Sequence, residues 1–191
     1  MKTKFSKIGI ASYKGGVGKT SLGYSLAYDL GLNYITNDTS IVLNIYKKAK
    51  YMPKKIKITE NTLYDFGGFR DSNAIEAIKQ LDLLLIPITF DSNAIIKTNE
   101  FLRDIKNENI NILLIANMME NEKTKNKFEK ILKEHFQDIP VLFLSNSKLL
   151  KNAIESGSSA TKVYKATNTT KYLYRKSYKE YKNIINYIEK V

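Results

Sequence analysis

A glycine-rich segment near the start of the chain constrains its fold more than any other feature. Residues 12–21 read SYKGGVGKTS and lie between an apolar run and a helical pattern. Closely spaced glycines let peptide N–H groups approach an anion, and the following helix points the positive end of its dipole at the same place. A lysine here reaches nucleotide phosphates and the next hydroxyl suits Mg²⁺, so the segment predicts a phosphate-binding loop. Its predicted nucleotide-binding residues are Gly15, Gly16, Val17, Gly18, Lys19, Thr20 and Ser21.

The loop departs from the common phosphate-loop pattern at one position and adds a cation at the next. Tyr13 stands five residues before Gly18, where the common pattern has glycine, and Lys14 places a second lysine inside the loop. This KGGVGKTS segment resembles the deviant Walker A motif of the ParA/MinD family of ATPases. The resemblance covers nearly the whole chain. It implies that Lys14 and Lys19 are catalytic, that ATP and Mg²⁺ are the cofactors, and that two chains form an ATP sandwich dimer.

Strand and helix patterns alternate along the rest of the chain. Continuous apolar runs such as 82–89 suit strands buried on both faces of a parallel sheet, and helical segments separate them. The predicted fold class is therefore α/β, a P-loop NTPase with a doubly wound, mostly parallel sheet and helices on both faces, in one domain over 1–191. Predicted strands span 7–12, 33–36, 61–66, 82–89, 110–116 and 141–144, and predicted helices span 19–31, 71–80, 91–107, 122–136, 147–156 and about 171–190.

Asp38 lies in a polar loop after the predicted strand 33–36, at the edge where doubly wound sheets bind ligands. In the resembled family this loop is switch I, and its second aspartate, which Asp38 matches, helps to position the attacking water. Thr36, Thr39 and Ser40 depart from that family's pattern. The resemblance makes Asp38 a candidate catalytic residue, and the alternative is an aspartate that only forms a turn.

Asp65 ends the predicted strand 61–66 and is followed by two glycines. The segment resembles Walker B and switch II of the same family, where such a carboxylate holds Mg²⁺ through water. The resemblance therefore implies a metal site formed by Thr20, Asp38 and Asp65. Asn117 follows the predicted strand 110–116, where similar proteins have an asparagine that reads adenine. Met118 replaces the lysine of guanine readers, which favours ATP over GTP. For Asp65 and Asn117 the alternative is again a residue that ends a strand or forms a turn.

The net charge of +12 indicates a polyanionic partner, either nucleic acid or an anionic membrane surface. Residues 162–191 hold eight Lys or Arg and two Asp or Glu, a net charge of +6, which is half of the net charge of the whole chain. The predicted DNA-binding residues lie there, beside an apolar stripe of helical period, and are Arg175, Lys176, Lys179 and Lys182. Six lysines between 47 and 57 form either a second basic patch or a solvated loop.

The sequence has no cysteine and one histidine, which excludes disulfides, Cys-ligated zinc and an iron–sulfur cluster. The apolar run near the N-terminus is too short for a signal peptide or a spanning helix. The phosphate loop starts too early to leave room for a preceding helix-turn-helix. We therefore expect a soluble, cytoplasmic and nucleoid-associated protein that does not read DNA sequence.

Taken together, the resemblance implies a small ParA-type partition ATPase. Such a protein hydrolyses ATP slowly, binds DNA nonspecifically as a dimer, and is stimulated by a ParB-type centromere-binding partner. One alternative is a MinD-like positioning ATPase on a membrane, although the tail does not favour a membrane partner. Another is an ATP-dependent ligase of the dethiobiotin-synthetase type, against which the basic tail argues.

Overall fold

The computed structural model describes residues 4–67, 72–105 and 110–189. Its strands are β1 (Lys7–Ala11), β2 (Asn33–Thr36), β3 (Ala49–Tyr51), β4 (Thr62–Phe66), β5 (Leu83–Ile88), β6 (Asn111–Met119) and β7 (Val141–Ser145). Its helices are α1 (Lys19–Leu30), α2 (Val42–Ile45), α3 (Ser72–Ile78), α4 (Ser92–Asp104), α5 (Glu122–His135), α6 (Leu149–Glu155), α7 (Ala160–Lys165), α8 (Asn168–Leu173) and α9 (Arg175–Glu189).

The strands form one sheet in the order β3-β2-β4-β1-β5-β6-β7, and every pair of neighbours is parallel. The chain leaves β1 toward β2 on one side and later continues to β5 on the other. Ligands bind beside such a change of direction in doubly wound sheets. All carboxyl ends share one edge, so the loops after β1, β2, β4 and β6 meet there. The predicted α/β fold class is confirmed.

Each face of the sheet has its own apolar core, because successive residues of a strand point to opposite faces. Within β5, which is buried throughout, Leu83 and Leu85 pack on the side that holds α1, α6 and α9. Leu84, Ile86 and Ile88 pack on the side that holds α3, α4 and α5. Helices therefore cover both faces. No helix in the described ranges is long and apolar enough to cross a membrane.

Two parts of the chain before the tail differ from the sequence prediction. The lysine-rich segment 47–57, for which the sequence predicts a basic patch or a solvated loop, contains the short edge strand β3, and its six lysines are exposed. β6 continues to Met119, past its predicted end at Ala116, through an irregularity in its pairing with β7. The predicted helix limits Asp71 and Asn107, and Gly68, the second glycine after Asp65, lie outside the described residues, as do residues 1–3 and 190–191.

The predicted tail helix is present as α9 but begins later than the expected start near Lys171, because the tail is divided at Tyr174 into α8 and α9. α8 buries no residue, whereas α9 buries Tyr181, Ile184, Ile185 and Ile188 against the core. Packing therefore holds α9, while α8 depends on its own capping box at Thr167. Both segments have helical sequences, so their pattern does not reveal the break.

Candidate functional site

The glycine loop has the backbone shape that the sequence predicts. Gly16 and Gly18 have φ angles of 76° and 86°, in the left-handed region that favours glycine. Gly18 is also the N-cap of α1, and its carbonyl accepts the first helical hydrogen bond from the Leu22 N–H at 3.1 Å. A Cβ on Gly18 would lie 2.5 Å from Asn117 Nδ2, whereas one on Gly15 would meet nothing within 4 Å. The loop therefore requires glycine most strictly at Gly18.

Asp65 lies almost fully buried at the carboxyl end of β4, directly beside the start of α1. Its Oδ2 accepts a hydrogen bond from Thr20 Oγ1 at 2.9 Å and another from the Tyr34 hydroxyl at 2.6 Å. Its Oδ1 is buried and has no hydrogen-bond partner among the described residues. Lys19, also buried, belongs to the same group of side chains.

Burial raises the pKa of Asp65 above its usual value. Hydrogen bonds from Tyr34 and Thr20 and the charge of Lys19 act in the opposite direction, and the charge of Asp38 adds to the rise. A buried carboxylate with one unsatisfied oxygen is costly unless a cation or a donor meets it. The hydroxyl and carboxylate oxygens of Thr20 and Asp65, with a buried lysine beside them, have the chemistry to accommodate an Mg²⁺–nucleotide group.

The loops after β2 and β4 contact each other next to this group. Asn37 Oδ1 accepts a hydrogen bond from the Gly67 N–H at 2.6 Å, and the Asp38 N–H donates to Thr36 Oγ1 at 3.1 Å. A Cβ on Gly67 would lie 3.2 Å from Asp38 Oδ2, so the carboxylate of Asp38 reaches the second loop. The structure thus brings Asp38 and Asp65 to neighbouring strand ends, with Asp38 exposed and Asp65 buried.

Asn117 lies inside β6 and not after its end, which corrects its predicted position. Its side-chain amide donates to the Val17 carbonyl at 2.8 Å, and its Oδ1 accepts from the Met118 N–H at 2.9 Å. Met118 has a φ of 60°, so the strand bends here and carries Asn117 to the phosphate loop. In this structure the observed role of Asn117 is to brace that loop.

An open pocket of about 100 Å³ lies next to the phosphate loop. Its wall is formed by residues of the loop, β6, β7, α6 and α9, among them Gly18, Ser21, Asn117, Met118, Ser145, Leu150, Lys151 and Ser177. The α9 residue Glu180 holds this wall, because its carboxylate accepts from the Ser145 N–H at 2.7 Å and from Ser145 Oγ at 3.0 Å. The sequence pattern alone gives no sign that Glu180 belongs to a site.

The two residues that depart from the common loop pattern connect it to α4. The Tyr13 ring packs on Phe101 with centroids 4.7 Å apart, and its hydroxyl donates to Asp104 Oδ2 at 2.6 Å. Lys14 is partly buried, and its charge contributes to the lowered pKa of Asp91, the N-cap of α4. Burial acts to raise the pKa of Asp91, but the hydrogen bonds that its carboxylate accepts outweigh the effect of burial.

The predicted DNA-binding cations lie on α9, away from its apolar face. Arg175, Lys176 and Lys179 are exposed and Lys182 is partly buried. Lys176 Nζ lies 2.6 Å from Glu122 Oε1, so an ion pair already offsets one of the four charges. The predicted separation of a buried apolar stripe from a cationic face is confirmed for Tyr181, Ile185 and Ile188.

Comparison with known proteins gives matches at the level of structure. No protein-family model matches the chain, and no curated protein sequence matches it either. An aspartate-to-alanine variant of McdA from Cyanothece, solved with ATP, is 15% identical with a TM-score of 0.67, over 96% of each chain. A plasmid partition protein from Borrelia burgdorferi, solved with AMPPNP, is 18% identical with a TM-score of 0.69, over 96% of this chain and 98% of that one.

The septum site-determining protein MinD from Pyrococcus horikoshii, solved with Mg-ADP, is 15% identical with a TM-score of 0.62. That match covers 96% of this chain and 98% of that one. All three proteins are matched over nearly their whole length, so the similarity concerns the complete fold. The chain therefore has the fold of the ParA/MinD-type P-loop ATPases.

Proposed function

We propose that the chain is a magnesium-dependent ATPase that works in partition or positioning. The observation that carries this proposal is the joined group of phosphate loop and buried carboxylate. Gly16 and Gly18 shape the loop, Lys19 is buried beside it, and Thr20 donates to Asp65. The three structural neighbours were solved with ATP, AMPPNP and Mg-ADP, which supports a nucleotide with Mg²⁺ as the ligand.

The residues of the loop have distinct roles in this proposal. The N–H groups of residues 15–21 and the Lys19 ammonium bind the phosphates, and Lys14 adds a second cation. Thr20, Asp38 and Asp65 would hold Mg²⁺, which when bound neutralises phosphate charge. Asp38 orients the attacking water, and its exposed carboxylate beside Gly67 is accessible to water at the same edge of the sheet.

The pocket beside the loop is the proposed site of the adenine. It opens next to Gly18 and Ser21 and is bordered by Asn117 and Met118. Met118 is 41% exposed, and its side chain offers an apolar surface for a base. Asn117 would then serve both the loop and the base.

The proposed biological role is DNA partition by an ATP-dependent homodimer. Lys14 would stabilise the dimer, Arg175, Lys176, Lys179 and Lys182 would bind nonspecific nucleoid DNA, and a ParB-type protein would stimulate hydrolysis. The burial of the apolar face of α9 supports a surface role for its cations. A MinD-like membrane role is the second candidate, because Tyr172 and Leu173 beside these cations are 84% and 64% exposed.

The first experiment measures nucleotide binding, on which every other part of the proposed function depends. Mg²⁺-ATP should bind the wild-type protein, and Lys19→Ala should lose most of that affinity because the loop then lacks its buried cation. Lys123→Ala, which removes an exposed lysine of α5, is the matched control and should bind as wild type. Calorimetry that detects no ATP binding to wild type, or equal binding to Lys19→Ala, would show that the proposed function is wrong.

A second experiment separates the two roles. Wild-type protein is mixed with plain duplex DNA or with anionic phospholipid vesicles, each without nucleotide, with ADP and with ATP. Partition predicts ATP-dependent binding to DNA and none to vesicles, and the membrane role predicts the reverse.

Lys14→Ala should keep monomeric nucleotide binding but lose the ATP-dependent dimer, which light scattering measures. An equal dimer fraction in both proteins would contradict the role of Lys14.

A further inference from the structure

Tyr34 is a buried residue of β2 whose hydroxyl reaches the candidate metal site. Its side chain is 0% exposed, and the hydroxyl donates to Asp65 Oδ2 at 2.6 Å. β2 and β4 are neighbours, with Tyr34 opposite Leu63 and Thr36 opposite Asp65. A tyrosine has the length to reach two residues further along the adjacent strand, which a serine or threonine in the same place lacks.

The hydrogen bonds at Asp65 are unevenly distributed between its two oxygens. Oδ2 accepts from both Tyr34 and Thr20, whereas Oδ1 is buried and accepts from none of the described residues. The terminal torsion of a carboxylate is broad, so two donors on one oxygen restrict its rotation. The second oxygen then stays available for a cation or for a water bound to it.

Thr20 has two tasks in this arrangement, because its hydroxyl can ligate a cation through a lone pair while its hydrogen bonds Asp65. Tyr34 has no such second task, since its hydroxyl points to the carboxylate from inside the core. A hydroxyl that faces a carboxylate must donate, so Tyr34 also stabilises the charged form of Asp65. Both effects prepare the carboxylate before any ligand binds.

We propose that Tyr34 is a positioning residue that orients the Asp65 carboxylate for Mg²⁺, an inference that rests on the proposed function. Tyr34 does not touch the nucleotide and acts only through Asp65. Residues that orient metal-binding groups are worth about 10- to 100-fold in metal affinity. Tyr34→Phe removes the hydroxyl and keeps the ring, so it should weaken Mg²⁺ binding in the nucleotide complex by about that factor.

The test measures the binding of a fluorescent ATP analogue with EDTA and over a series of Mg²⁺ concentrations. Tyr34→Phe should bind the analogue in EDTA like wild type and require about 10- to 100-fold more Mg²⁺ for half of the Mg²⁺-dependent change. Tyr24→Phe is the matched control, because Tyr24 is equally buried in α1 but its hydroxyl has no partner among the described residues. It should leave the Mg²⁺ requirement unchanged.

Two further variants distinguish positioning from a general structural effect. Replacement of Tyr34 by 4-aminophenylalanine keeps a donor at the ring and should restore the Mg²⁺ requirement of wild type. In an Asp65→Asn background, Tyr34→Phe should have no additional effect, because the carboxylate it orients is gone. If Tyr34→Phe itself folds poorly, the 4-aminophenylalanine variant still decides the matter, because it keeps both the ring and a donor and a Mg²⁺ requirement unlike that of wild type would overturn the inference.

An unchanged Mg²⁺ requirement in Tyr34→Phe, or an equal loss in Tyr24→Phe, would overturn the inference while the proposed function stands. Equal weakening with and without EDTA would also overturn it, since the effect would then be on the whole site. If wild type binds the analogue without any dependence on Mg²⁺, the proposed function itself fails, and the inference fails with it.

Discussion

At the scale of single residues, the glycines of the phosphate loop are subject to different physical constraints. Gly18 combines a left-handed backbone with the close approach of Asn117, whereas Gly15 has neither constraint. Gly16 has the backbone constraint but open space around it. Tyr13 replaces a glycine of the common pattern and anchors the loop on α4 instead.

Gly18→Ala should therefore damage the loop and Gly15→Ala should not. The added Cβ at Gly18 would lie 2.5 Å from Asn117 Nδ2, and the left-handed backbone adds about 1–2 kcal/mol of strain. We expect Gly18→Ala to unfold at lower denaturant concentration and to lose most of its ATP affinity, and Gly15→Ala to remain close to wild type. Chemical denaturation and calorimetry of both variants measure this. Similar losses in the two variants would contradict the steric explanation.

Asp38→Ala and Asp65→Ala should have different consequences. Asp38 is the most exposed of the three groups proposed to hold Mg²⁺, so Asp38→Ala should still bind ATP, with the ion held by Thr20 and Asp65, and should still dimerise. It should lose most hydrolysis, because the attacking water is no longer oriented. Asp65 is buried beside Thr20, so its removal should weaken Mg²⁺-nucleotide binding itself. Phosphate release with DNA and partner present, together with ATP affinity, distinguishes the two. Wild-type turnover by Asp38→Ala would make Asp38 a turn residue only.

At the scale of secondary structure elements, carboxylates join elements that are far apart in the sequence. Glu180 of α9 binds both the N–H and the hydroxyl of Ser145 at the end of β7, 35 residues away. Asp82, just before β5, accepts from the Ser6 and Lys7 N–H groups at 3.0 and 2.9 Å and so holds the start of β1. These bonds fix the ends of elements whose middles are held by apolar packing.

Asp82 should make stability depend on pH. Burial acts to raise its pKa, but the hydrogen bonds from Lys7 and Ser6 outweigh it and hold the pKa below the usual value. The contribution of Asp82 is therefore complete above its unfolded-state pKa of about 3.9 and is lost as the pH falls through the lower folded-state pKa.

At about pH 7, Asp82→Ala should reduce the free energy of unfolding by about 1.5–3 kcal/mol, the range for hydrogen bonds to a charged group. Urea unfolding at a series of pH values should show this difference shrinking toward about pH 3. The exposed Asp138→Ala should stay within about 0.5 kcal/mol of wild type throughout. A difference for Asp82→Ala that does not change with pH would contradict the argument.

At the scale of the whole molecule, the charge is distributed over two exposed basic regions. One is the cationic face of α9, and the other is the lysine-rich segment 47–57 around the edge strand β3. The net charge of +12 attracts any polyanion, so overall charge alone does not decide which region binds. The partition proposal assigns DNA to α9.

Two variants with equal changes in charge test that assignment. One replaces Arg175, Lys176, Lys179 and Lys182 with alanine, and the other replaces Lys47, Lys50, Lys54 and Lys55. The α9 variant should bind DNA more weakly and with a shallower salt dependence, by about 0.9 in log–log slope for each phosphate that it no longer neutralises. Because Lys176 is paired with Glu122, we expect fewer than four phosphates to be affected. Unchanged affinity and slope in the α9 variant would move the proposed DNA site to the β3 region.

The amino-acid sequence alone determines the local features of this protein. The glycines, lysines and threonine of the phosphate loop predict its function because loop shape and helix capping depend on neighbouring residues. The continuous apolar runs predict a parallel sheet, because strands buried on both faces need such runs. The positions of Asp38 and Asp65 at strand ends follow from the same patterns.

Only the tertiary structure decided which of these ends meet, because that depends on strand order and register. The order places β2 beside β4, so Tyr34 reaches Asp65, and the bend in β6 brings Asn117 to Val17, 100 residues away. The break at Tyr174 and the bond from Glu180 to Ser145 likewise depend on how the tail packs against β7. Hydrogen bonds between distant segments leave no periodic signal in the sequence, since each requires one side chain at the place where the folded chain returns.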